Sequence, residues 1–174
     1  ANGQVFLLNP NGVLFGTGAS VNVGGLVATT LNLSDADFNA GKYQFTGTIN
    51  GTGKITNQGS ITAADGGYIA LLGGQVSNQG TLAAKLGNVT LAAGSDMTLD
   101  FVGDGLLSVT VNQGALNALA ENKQLIQADG GHVLLTAKAA DSLIQAVVNN
   151  EGVIEARTVD NLSLIHISEP TRRY

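Results

Sequence analysis

Catalysis and metal binding both need ionisable groups that converge, and the carboxylates of this chain gather in only two places. One group is Asp35 with Asp37; the other is Asp96 with Asp100 and Asp104. Closely spaced carboxylates can share a proton for acid/base work or hold a hard divalent cation. Both groups sit among Gly, Ser and Asn, the residues of turns, which favours solvated turn acids. The second group has oxygen donors for weak calcium binding. It lacks the spacing of an EF-hand loop, and the Gly-Gly-x-Gly-x-Asp nonapeptide of calcium-binding β-rolls is missing. His132 follows Asp129-Gly130-Gly131 at the point where a parallel unit has Tyr68, and it reads as a surface strand residue. The glycine pairs Gly24-Gly25, Gly66-Gly67 and Gly73-Gly74 precede no Lys-Ser/Thr pair, so a phosphate-cradling loop has no support. A nucleophile elbow is also missing. The residues therefore assign no catalytic centre, no metal and no cofactor.

What would position any site is a repeat. Asn-x-Gly turns flanked by apolar, mostly β-branched residues recur at Ile55–Ile61, Val76–Leu82 and Val148–Ile154, carrying Asn57 with Gly59, Asn78 with Gly80, and Asn150 with Gly152. A second unit recurs as Asp65-Gly-Gly-Tyr-Ile-Ala-Leu-Leu72, Gly87-Asn-Val-Thr-Leu-Ala92 and Asp129-Gly-Gly-His-Val-Leu-Leu135. Turn alternates with strand, which predicts an all-β chain wound as a parallel β-helix, a single-stranded solenoid. Three strands of about five residues plus turns make a coil of roughly 20 to 25 residues. At that length the chain holds roughly seven coils, a rod on the order of 35 Å. Ile61, Leu82 and Ile154 should stack in the core. Asparagines at equivalent turns should stack as an amide ladder that satisfies turn amides.

Three stretches depart from the rhythm. Leu31–Gly41 reads as an excursion from the solenoid, followed by Tyr43-Gln-Phe45 as an antiparallel add-on. Leu106–Val111 reads as a hairpin arm. Ala115–Glu121 and Lys138–Val147 have helical spacing, which predicts one or two short helices against the side of the rod. Near the start, Asn9-Pro10-Asn11-Gly12 has Pro at the second position and Gly at the fourth, as a type I turn prefers.

Composition agrees. The chain has 174 residues with 24 Gly and only 12% charged residues, against a usual share of about 25% charged, so turn and strand-face residues have replaced charge. The net charge is −5 and the cations before Leu162 are scattered singly, which argues against nucleic acid as a partner. No run of 18 apolar residues is present. Residues 1–161 read as one β-helix domain that begins inside a strand, truncated at its N-terminus. Such an open first coil should promote self-association. Residues 162–174 lose the repeat and resemble a translated library adapter, a non-native tail.

The segment Gly3-Gln-Val-Phe-Leu-Leu-Asn-Pro-Asn-Gly-Val-Leu-Phe-Gly16, with Leu26-Val-Ala-Thr-Thr-Leu31 behind it, resembles the secretion domain of filamentous haemagglutinin-like and high-molecular-weight-adhesin-like exoproteins. The likeness runs from Gln4 to about Thr158. It implies a right-handed parallel β-helix with extra-helical hairpins that serves as the secretion-targeting and folding-nucleation module of a large exported protein. The implied partner is an outer-membrane two-partner-secretion transporter, met transiently by the unfolded chain. The implied destination is the medium or cell surface of a Gram-negative bacterium, and any host-surface glycan or protein would be bound by downstream regions. Asn9, Pro10, Asn11 and Gly12 match the family's Asn-Pro-Asn-Gly motif, with a turn role and a transporter-recognition role. Two other readings share the solenoid: a carbohydrate-binding or pectate-lyase-like β-helix, and a directly adhesive surface of flat Thr/Asn faces. The former needs acids and cations on one face, whereas Lys42, Lys54, Lys85, Lys123, Lys138 and Arg157 lie apart in sequence.

Overall fold

Strands that are apolar on alternate residues and separated by tight Asn/Gly corners can bury one face only by winding around a shared axis. The computed structural model, which describes residues 3–48, 50–51, 53–102, 106–141 and 146–157, shows that winding. The first coil is β1 (Gln4–Leu8), β2 (Val13–Phe15) and β3 (Ser20–Thr29), followed by an excursion with α1 (Asp35–Asn39) and β4 (Tyr43–Thr46). Next come β5 (Lys54–Asn57), β6 (Ser60–Gly73), β7 (Gln75–Asn78), β8 (Thr81–Ala83) and β9 (Asn88–Ala93). A hairpin of β10 (Asp96–Val102) and β11 (Leu106–Gln113) interrupts them. The rod then resumes through β12 (Leu119–Asn122), β13 (Leu125–Gln127), β14 (His132–Ala137), β15 (Val147–Asn150) and β16 (Val153–Glu155).

The strands form three parallel faces. The first is a 5-stranded sheet in the order β15-β12-β7-β5-β2. The second joins the front half of β3, the front half of β6, β8, β13 and β16; the third joins β1, the rear halves of β3 and β6, β9 and β14. The 5-stranded sheet fixes five coil levels among the described residues, not seven. The rod is therefore about 20 Å long at the usual strand spacing, because the two excursions absorb residues that an uninterrupted repeat would spend on coils.

Like stacks on like inside. Val21, Ile61, Leu82, Ile126 and Ile154 are register partners in consecutive coils, and Ile61, Leu82 and Ile126 are fully buried. Each such side chain contributes about 1.5–3 kcal/mol on burial. A second core lies outside the rod. The outward residues Val27, Ala70, Leu72 and Ala92 of the third face pack under Phe45, Met97 and Leu99 of the antiparallel sheet β11-β10-β4. Burial on both sides explains why Tyr68–Leu72 is a continuous apolar run instead of an alternating one.

The predicted antiparallel add-on is β4, paired with β10, and the predicted hairpin arm is β11. The helix assignment at Ala115–Glu121 needs correction, and the one at Lys138–Val147 falls partly outside the described residues. Ala115–Glu121 is a turn leading into β12, where Leu119 N donates to Gly74 O and Ala120 stacks on Val76; parallel stacking has overridden helix propensity. Of Lys138–Val147, Lys138–Asp141 is non-helical and Val147 opens β15, while 142–145, including Leu143 and Ile144, lie outside the described residues. The helix among the described residues is α1, capped by Ser34, whose hydroxyl accepts from Asp37 N at 3.1 Å. The supposed tail, 162–174, also lies outside the described residues.

Candidate functional site

Asn9-Pro10-Asn11-Gly12 turns the chain from the third face to the first. Gly12 N donates to Asn9 O at 3.1 Å and Asn11 N to Asn9 Oδ1 at 3.1 Å, so Asn9 closes the turn twice, once through its backbone and once through its side chain. Asn9 N anchors the turn to Thr29 O at 3.0 Å. Gly12 has φ 124°, a value that penalises any side chain. Asn9, Pro10 and Asn11 are exposed, and the Pro10 carbonyl lies so close to Gly53 of the next coil that a Cβ there would collide with it. Beside the turn opens an uncharged cleft of about 210 Å³, lined among others by Pro10, Thr30, Asn32, Thr46 and Thr48.

The Asn-x-Gly turns meet as the predicted ladder. Asn57 Nδ2 donates to Asn78 Oδ1 at 2.9 Å, and Asn78 Nδ2 donates to Asn122 Oδ1 at 2.8 Å. Asn122 Nδ2 continues to Asn150 Oδ1 at 2.8 Å. Each oxygen of the first three also accepts the amide two residues on, at Gly59, Gly80 and Gln124. Gly152, in the last turn, instead donates its amide to Asn122 O. Sequence reasoning missed Asn122, because Gln124 stands where the other three turns have glycine; the spacing from Ala120 to Ile126, matching Val76 to Leu82, is the signal that identifies it. Phe15 pairs with Asn57 and ends the ladder at the first coil.

The carboxylates do not converge. Asp35 and Asp37 occupy the first turn of α1, where an acid complements the positive helix end. Asp96 accepts from Asn112 at 3.0 Å, Asp100 lies on the exposed side of β10, and Asp104 falls outside the described residues. Among the described residues no group of three acidic, His or Cys side chains can hold a metal ion. His132 is exposed and continues the outward column of Tyr68 and Asn88. Burial, with the nearby Tyr43, pushes the Tyr68 hydroxyl up to about 12, and that hydroxyl has no hydrogen-bond partner. Hydrogen bonding from Arg157 holds the Asp129 carboxyl below its ordinary range.

An exposed Asn-Pro-Asn-Gly turn at the head of a three-faced parallel solenoid is matched by one family over nearly the whole chain: the TPS secretion domain, residues 1–170. The chain belongs to the TPS secretion-domain family. This TPS domain is 36% identical over 169 residues to a heme/hemopexin-binding protein of Haemophilus influenzae strain Rd, covering 92% of the chain and 18% of that relative. A second Haemophilus influenzae heme/hemopexin-binding protein is 33% identical over 184 residues, with 92% of the chain and 19% of the relative covered. The TPS domain thus spans about a fifth of the length of these relatives. The crystal structure of the HMW1 secretion domain from Haemophilus influenzae superposes with a TM-score of 0.66 at 28% identity, over 90% of this chain and 45% of that one. The family, the β-helix and the secretion-targeting role read from sequence are borne out. TPS domains are secretion modules of large exoproteins of Gram-negative bacteria, and membership implies interaction with a TpsB outer-membrane transporter. The carbohydrate-active reading is not favoured.

Proposed function

We propose that this TPS domain is the export address of a large exoprotein and that the transporter reads it at the exposed turn Asn9-Pro10-Asn11-Gly12. The observation that carries this reading is the division of labour within the turn. Backbone closure and the Asn9 side chain hold the shape, while Pro10 and Asn11 project into solvent. The contact is transient and precedes closure of the coils; the turn is available at that stage because the bonds that close it, Gly12 N to Asn9 O and Asn11 N to Asn9 Oδ1, lie within the motif. Winding each coil onto the last supplies a folding free energy that opposes backsliding. The domain carries no enzymatic activity, and the finished protein resides in the medium or at the cell surface. Any binding of host glycan, host protein or heme belongs to the rest of the exoprotein.

The test is export of the full exoprotein from cells that also make its transporter, comparing the parent with Asn11→Ala, Pro10→Ala and Asn9→Ala. Asn11→Ala should reduce export while the purified domain keeps its β-sheet circular dichroism and urea midpoint. Undiminished export of both Asn11→Ala and Pro10→Ala would reduce the motif to a turn.

A further inference from the structure

One corner of the rod carries a charge pattern that the secretion role does not use. Between the second and third faces the chain turns at Asp65-Gly66-Gly67, Lys85-Leu86-Gly87, Asp129-Gly130-Gly131 and Arg157. Gly66 N donates to Lys85 O at 2.8 Å, Leu86 N to Asp129 O at 2.8 Å, and Gly130 N to Arg157 O at 2.6 Å. These bonds place Asp65, Lys85, Asp129 and Arg157 at the same corner position of four consecutive coils. Their signs run minus, plus, minus, plus. At the last step the charges touch: Arg157 Nη2 lies 3.3 Å from Asp129 Oδ2 and 3.1 Å from Glu155 Oε2, and Arg157 N donates to Asp129 Oδ1 at 3.0 Å.

The rest of the coil says little about which neighbour is correct. Ile61, Leu82, Ile126 and Ile154 are near-interchangeable in the core, the ladder asparagines are identical, and Gly67, Gly87 and Gly131 stack as equals. The Asp-Gly-Gly corners at 65–67 and 129–131 are identical in sequence, as are Asn-Gln-Gly at 57–59 and 78–80. A coil that docks one level out of order therefore keeps its core and its ladder. It cannot keep its corner. Skipping a level sets Asp65 against Asp129, or Lys85 against Arg157, whereas docking in order always sets acid against base.

We propose that the column Asp65–Lys85–Asp129–Arg157 is a neighbour check that selects in-order docking of successive coils. It acts by penalising the wrong partner. The native state gains little, because the corner is open to water and exposed pairs contribute little; the Arg157 and Asp129 side chains are 61% and 29% exposed. The inference rests on the reading that the chain winds coil by coil, but its test does not need the transporter.

Three forms of the full chain are unfolded in urea and refolded by dilution: the parent, a neutral column (Asp65→Asn, Lys85→Gln, Asp129→Asn, Glu155→Gln, Arg157→Gln), and an inverted column (Asp65→Lys, Lys85→Asp, Asp129→Lys, Arg157→Asp) in which Glu155→Lys keeps the second partner of position 157 opposite in sign. Monomer yield is read by size-exclusion chromatography, and the native urea midpoint by circular dichroism. At low salt the neutral column should lose yield several-fold with a midpoint close to the parent's, and the inverted column should refold like the parent. At about 0.5 M salt, where exposed charges are screened within a few ångströms, the yields should converge. A neutral column that refolds at parental yield in low salt overturns the proposal, as does an inverted column that refolds as poorly as the neutral one. Failure of the parent chain's export with its transporter would instead overturn the secretion reading and leave these refolding yields standing.

Discussion

Asn78 is the rung whose removal should cost most. It is fully buried, and its Nδ2 donates to Asn122 Oδ1, Gly80 O and Leu125 O at 2.8, 3.1 and 3.2 Å, while its Oδ1 accepts from Asn57 Nδ2 and Gly80 N at 2.9 and 3.3 Å. Asn78→Ala strands a donor on Asn57, an acceptor on Asn122 and the Gly80 amide. A buried polar group left without its partner costs about 1–3 kcal/mol. Two of the three keep other partners, since Asn57 Nδ2 still reaches Gly59 O and Thr81 O, and Asn122 Oδ1 still accepts from Gln124 N. The net loss should be about 3–5 kcal/mol. Asn150 caps the exposed end of the ladder, so water replaces what Asn150→Ala removes and the loss there should be about 1 kcal/mol. Asn78→Asp should be worse than Ala, because it sets a second acceptor against Asn122 Oδ1 and two carbonyl oxygens. The assay is urea unfolding by circular dichroism. With a slope of about 2 kcal/mol per molar urea, Asn78→Ala should lower the midpoint by about 2 M. A cost for Asn78→Ala within about 1 kcal/mol of Asn150→Ala, the spread usual for a single hydrogen bond, would refute the ladder as a cooperative buried network.

Leu86 holds φ 58° where the equivalent corner residues Gly66 and Gly130 hold 78° and 77°; Leu86→Gly should therefore stabilise by up to about 1 kcal/mol, seen as a higher urea midpoint. Gly87→Ala drives a Cβ into the Gly67 carbonyl oxygen, and should destabilise by more than about 2 kcal/mol, with loss of native circular dichroism at physiological temperature. Tyr68→Phe removes a buried hydroxyl that has no partner and should be neutral or stabilising by about 1 kcal/mol. The same residue gives a pH test. Because the folded pKa is raised from 10 to about 12, the unfolded chain ionises first. Stability from the neutral phenol is fully present below pH 10 and falls as pH rises from there to about 12; Tyr68→Phe should flatten that part of the stability profile.

Much of the rod could be read from its residues because a solenoid writes each structural fact several times. Asn57, Asn78 and Asn150 announced the ladder through their shared Asn-x-Gly turns, and Ile61, Leu82 and Ile154 announced the core stack. The missed rung, Asn122, lacks the glycine that marks its fellows. Ala115–Glu121 misled because Ala, Leu and Glu favour helix by weak intrinsic preference, whereas the decisive bonds, Leu119 N to Gly74 O and Val147 N to Ala118 O, come from coils distant in sequence. The real helix had a local signal in Ser34-Asp-Ala-Asp37, a capping pattern, but no apolar period behind it. The turn Asn9–Gly12 was legible from Pro10 and Gly12. The cleft beside it was not, since Thr30, Thr46 and Thr48 are brought to Pro10 only by the excursion's return.

The pairing of β4 with β10 puts a clock into the chain. Thr46 finds its partner Asp96 only after β5 to β9 have been laid down, and Phe45 is buried against Met97 and Leu99 of that later arrival. Until then the outward side of the third face, Val27, Ala70 and Leu72, has no complete cover. For a chain that emerges from its N-terminus, the early coils can wind but stay greasy on one flank until β11, which ends at Gln113, is outside. The hairpin of β10 and β11 closes over them like a clasp, with Met97, Leu99 and Leu107 on that outward core.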